Sequence, residues 1–112
     1  MANVNEKLYR QEIEELTNFI RNDTSWSDLS NILIENGFNL KDTLLVSFFE
    51  DEEMEYGVIV TRDKKVFEYS RNLEVEDEVG NVNISEITEN IDKINEYPQI
   101  PISYKMIDEG LI

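Results

Sequence analysis

Three stretches decide how this chain folds: Thr43 to Phe49 (TLLVSFF), Glu55 to Arg62 (EYGVIVTR) and Lys65 to Arg71 (KVFEYSR). Each is dominated by β-branched and aromatic residues and is too short for a good helix, so each is expected to be a strand. Asp63-Lys64 supplies a tight hairpin turn between the second and third, and Asp51 to Met54 a looser turn between the first two. The result is an antiparallel meander of three strands. Leu73 and Val75, with charges between them, extend it to a fourth, edge strand whose acidic residues discourage stray pairing. Gly80 and Asn81 then break the pattern. Along the first strand Leu44, Val46 and Phe48 alternate with Leu45 and Phe49, and in the second Val58 and Val60 oppose Ile59. Apolar residues on both faces point to helices covering both, or to a central position for the first strand. The alternative is one face left partly open for a partner or a second copy of the chain.

Outward from the meander the periodicity changes. From Asn5 to Arg21, Tyr9, Ile13, Leu16 and Ile20 recur at helical spacing, with Glu12, Glu14, Glu15 and Asn18 elsewhere, which predicts an amphipathic helix. Asn22-Asp23-Thr24 ends it. Ser25 with Asp28 resembles a capping box for a second helix, Trp26 to Asn36, which carries Leu29, Ile32 and Leu33 and meets Gly37 as its left-handed cap. These two helices form an N-terminal helical hairpin. On the other side, Ser85 is expected to cap a third helix with Ile87, Ile91 and Ile94 as its apolar stripe and Ile84 as a staple. Pro98 and Pro101 stop it. The tail from Ile102 reads as a strand through Ile102, Tyr104 and Met106, or as a short helix capped by Gly110, and the helix is preferred. The order predicts an α+β fold: a helical hairpin, a three- or four-stranded antiparallel meander, and a C-terminal helix packed on the sheet.

A chain of 112 residues and 40% hydrophobic composition suits one domain, residues 1–112, with a proper core. Its balance of 10 basic and 25 acidic residues leaves a net charge of −15. The absence of Cys removes disulfides, thiolate metal sites and thiol nucleophiles, and the absence of His removes the commonest general base and transition-metal ligand. The 4 glycines are too dispersed for a phosphate-cradling loop, and no Ser occupies a nucleophile elbow. A non-enzymatic protein without cofactor or metal is expected. Anionic lipid and nucleic-acid phosphate both repel such a charge, so neither membrane nor nucleic acid is an expected partner. Met1 to Leu8 shows no secretory signal pattern and nothing approaches the ~20 apolar residues of a membrane span, so a cytoplasmic location is expected.

The charge is greatest around the sheet loops. Glu50, Asp51, Glu52 and Glu53, with Glu55 just after, form one acidic run, and Glu74, Glu76, Asp77 and Glu78 a second. Calcium-loop spacing fails: counted from Asp51, Tyr56 stands where glycine is required and Arg62 where glutamate is required. A solvated turn is the simple reading of each run. The sharper reading makes these residues the rim of a contact with a basic protein, anchored by Tyr56, because acidic fields speed encounter and aromatics hold.

The helical pair followed by the meander, through Thr43 to Phe49 and Tyr56 to Tyr69, resembles the small acidic immunity proteins of bacterial polymorphic and contact-dependent toxin systems. That resemblance implies a cytoplasmic inhibitor that neutralises a cognate basic toxin domain, often a nuclease, by stoichiometric binding. The competing expectation is a small structural or adaptor protein acting through homo-oligomerisation or as an accessory subunit.

Overall fold

A computed structural model describes residues 3–22, 27–72 and 82–110. The fold is α+β. Two helices, α1 (Asn3–Asn22) and α2 (Ser27–Glu35), precede a short 3-10 turn at Leu40–Asp42 and the strands β1 (Thr43–Glu50), β2 (Met54–Thr61) and β3 (Val66–Asn72). A fourth strand, β4 (Val82–Glu86), is followed by the short helix α3 (Ile91–Asn95) and by α4 (Gln99–Asp108). The strands form one antiparallel sheet in the order β1-β2-β3-β4.

The helix ends follow from local chemistry. Gly37, at φ +90°, closes α2 with bonds from its own N–H to Ile34 and from the Phe38 N–H to Leu33, the paired arrangement that satisfies orphan carbonyls. Gly110, at φ +74°, ends α4 in the predicted way. Pro98 precedes α4 and Pro101 lies in its first turn, where a missing N–H costs nothing. The proposed Ser25 cap and the Trp26 start of α2 lie outside the described residues. In the β2–β3 turn the Lys64 N–H bonds Thr61 and the Thr61 N–H bonds Lys65, with Lys64 left-handed at φ 65°. A lysine holds this glycine-favoured position while its ammonium reaches Asp108 at 2.8 Å and lies 5.8 Å from the centre of the Tyr104 ring.

Two corrections concern the sheet. Ser85 does not begin a helix: Val82–Glu86 pairs with β3, and α3 starts at Ile91 with the Asn90 side chain accepting the Lys93 N–H. Ile84 packs from the strand, and Ile91 is 70% exposed instead of belonging to a buried stripe. The unpaired edge of β3 captures this segment, so tertiary pairing overrides a local helical pattern. The segment around Leu73 and Val75, expected to be the fourth strand, lies outside the described residues. The second correction is that β1 is an edge strand, with β2 and β3 central.

Both sheet faces are nonetheless covered over much of their area. One cluster gathers Leu44, Val46, Val58, Val60 and Val66 beneath Ile13, Ile100, Ile102 and Met106. The other gathers Leu45, Ile59 and Tyr69 with Ile20, Leu29 and Leu33. Helix α1 serves both, Ile13 entering one cluster and Ile20 the other, while the Thr17 hydroxyl between them accepts the Leu45 N–H at 3.1 Å. Arg21 donates to the Thr43 carbonyl at 2.9 Å. The helix thus straddles the exposed edge of β1 and occupies backbone groups that would recruit another strand. Leu16, expected in the core beside Ile13, is only partly buried.

Candidate functional site

A bulge decides what the first strand presents. Leu45 pairs with Ile59 and Ser47 with Val58, leaving Val46 as an extra residue. Simple alternation puts Phe48 with Leu44 and Val46; the bulge instead sends Phe48 to the cluster of Leu45. It also brings Phe49 to the side of its pairing partner Tyr56, where the two rings stack at 6.2 Å with 29° between planes. These are exposed aromatics: Phe49 by 61% and Tyr56 by 42%.

The pair stands at the mouth of a groove of about 530 Å³ on one sheet face. The register builds its floor in two rungs. Phe49, Tyr56, Ser70 and Asn83 form the outer one, and Ser47, Val58, Glu68 and Ser85 the inner one. Asn90, Lys93 and Tyr97 close one side. Glu68 is the groove's carboxylate, accepting from the Lys93 ammonium at 2.9 Å and from the Tyr97 hydroxyl at 2.6 Å. Burial alone would raise the Glu68 carboxyl, but these two hydrogen bonds and the Lys93 charge outweigh it and hold the group below the ordinary value. Tyr97 is pushed up to about 12 by burial and by its bond to Glu68.

The acidic residues nominated from sequence separate here. Asp51, Glu52 and Glu53 are exposed on the β1–β2 turn, while Glu50, the exposed last residue of β1, pairs with Glu55 and shares its face, opposite Phe49. Asp51 also shapes that turn, its side chain accepting the Glu53 and Met54 N–H groups. Glu55 belongs elsewhere. It is 3% exposed and faces the opposite side of the sheet, where Arg71 grips it at 3.0 and 3.1 Å and the Tyr69 hydroxyl donates at 3.0 Å. Its charge is spent inside the protein, not on the rim. Glu74, Glu76, Asp77 and Glu78 lie outside the described residues.

Sequence reasoning missed Glu68, Lys93, Tyr97 and the serines of the groove. The usable signal was the period-two series Glu68, Ser70 beside Tyr56, Val58, polar where a covered face would be apolar. Among the described residues no group of carboxylates is placed to hold a metal ion, and no helix is long and apolar enough to cross a membrane. The arrangement offers recognition chemistry: a stacked aromatic pair, a positioned carboxylate and short polar side chains in one concave surface. No family model, curated protein or solved structure matches the chain.

Proposed function

We propose that this is a non-enzymatic binding protein that neutralises a cognate basic toxin domain, of the nuclease type, by stoichiometric association in the cytoplasm. The observation that carries the reading is the pair Phe49 and Tyr56, both exposed, at the end of the β1–β2 hairpin whose turn carries the exposed carboxylates of Asp51, Glu52 and Glu53. Aromatic anchors beside a charged rim are what a tight, electrostatically steered interface requires. A net charge of −15 exceeds the magnitude of about 8 that solubility asks of a small domain. On a basic nuclease the acidic rim would cover the surface that otherwise takes phosphates, making inhibition competitive with nucleic acid.

The competing reading, an adaptor assembling through its sheet, is opposed along Thr43–Leu45 by Thr17 and Arg21, which occupy the edge of β1. The test is to co-express the chain with basic domains encoded by neighbouring genes. Rescue of growth, a 1:1 complex by calorimetry, and faster dissociation for Tyr56→Ala are expected. If no neighbouring basic domain is bound or silenced, the reading fails.

A further inference from the structure

We propose that the groove is an arginine receptor: a guanidinium of the basic partner stacks on Tyr56 and forks onto the Glu68 carboxylate, taking the place that Lys93 holds in the free protein. The inference rests on the basic-partner reading but is testable without that partner. Its geometry comes from the register. Tyr56 pairs with Ser70, so Glu68, two residues along the same strand, is the diagonal neighbour of Tyr56. Such neighbours stand roughly 7–8 Å apart, which a planar guanidinium lying against the ring can bridge.

The space is present because Ser70, Ser47 and Ser85 are short, and Phe49 covers only one side of the Tyr56 ring. The carboxylate is already aimed: Tyr97 donates to one oxygen and Lys93 to the other, and each oxygen keeps a second lone pair for a further donor. Lys93 is a replaceable cation: its side chain is half exposed and it forms a single bond to Glu68. Arginine fits better than lysine because its fork matches a carboxylate and its flat face matches a ring, while an ammonium offers only a point charge. Charge complementarity selects a cationic occupant, for the groove holds the Glu68 carboxylate and the exposed Asp51, Glu52 and Glu53 follow Phe49 on the β1–β2 turn, drawing positive groups toward that end of the sheet.

The probe is N-acetyl-arginine methylamide, titrated into the isotopically labelled protein at physiological ionic strength, where loose attraction to the acidic turn is screened. Saturable shifts are expected at Tyr56, Glu68, Ser70, Ser85 and the Lys93 ammonium, weaker ones with the lysine analogue, and none with the uncharged citrulline analogue. Glu68→Gln should weaken arginine binding about tenfold, and Lys93→Ala should tighten it about two- to fivefold, the weight of one exposed ion pair. The opposite signs separate the proposal from a general loss of structure. Shifts confined to Glu50–Glu53, or indifference to Glu68→Gln, or weakening by Lys93→Ala would overturn it. Failure of the arginine probe beside an intact toxin complex removes the groove assignment alone. Saturable arginine binding with no toxin partner removes the toxin reading alone.

Discussion

The ring of Tyr69 lies against Gly57, its pairing partner on the neighbouring strand, so closely that a Cβ on Gly57 would stand 2.1 Å from the ring carbon Cε1. The contact explains a glycine in a central strand, where it otherwise weakens the sheet. It lets the tyrosine cross the strand to donate to Glu55, which Arg71 grips on the other side. Burial is the main cause that pushes the Tyr69 hydroxyl far above its usual range, followed by the Glu55 charge, so it remains a donor at any ordinary pH.

Gly57→Ala should therefore destabilise the protein by about 3 kcal/mol, at the upper end of overpacking costs, because the ring that must shift is buried and bonded to Glu55. Denaturant unfolding checks this. In the Tyr69→Leu background the same alanine should cost much less, and equal costs in both backgrounds would show that the ring is not what excludes it.

Glu55 and its near neighbours Glu52 and Glu53 should behave oppositely. Glu55→Ala removes the buried carboxylate that accepts from Arg71 and from the Tyr69 hydroxyl and should cost roughly 3 kcal/mol. The double substitution Glu52→Lys, Glu53→Lys should stay within about 0.5 kcal/mol, since both side chains are in water. The same double variant should slow association with a basic partner and flatten its salt dependence. An unchanged association rate and salt slope would reduce the turn to a solubilising element.

Thr17→Val keeps the shape of a buried side chain but removes the acceptor for the Leu45 N–H. A loss of about 1–3 kcal/mol is expected, the cost of leaving a buried donor unmade. Faster hydrogen exchange at the Leu45 amide should accompany it. Protection equal to the native protein would mean that another group guards this edge.

The lowered Glu68 carboxyl ties stability to pH. A depressed folded-state value stabilises the fold fully above the ordinary value of 4.5, and that stabilisation is lost as pH falls through the lowered value. Comparison with Glu68→Gln isolates this group from the relief of charge repulsion that acid brings to every carboxylate. The stability gap between the two proteins should narrow from neutral pH to about pH 3. A gap that does not change with pH would show that Glu68 gains nothing from its ionised form.

Sequence alone determined those elements whose signal is local. Helix α1 was legible because Ile13 and Ile20 recur on one stripe, and α2 ends where Gly37 permits a left-handed residue. The hairpins were legible because turn residues separate short β-branched runs. Tertiary structure decided which neighbour each element met. Ile84, Ile87, Ile91 and Ile94 recur at helical spacing, yet Val82–Glu86 became a strand because β3 offered an unpaired edge. Val46 reads as one more alternating residue, yet its bulge moved Phe49 next to Tyr56 and made the groove mouth aromatic. Glu55 sits in an acidic run that reads as solvent-facing, and only Arg71 and Tyr69, 16 and 14 residues away, drew it inside. Local patterns encode backbone preference and periodicity, whereas pairing, bulges and the fate of a charge depend on groups distant in sequence that meet only when the chain has folded.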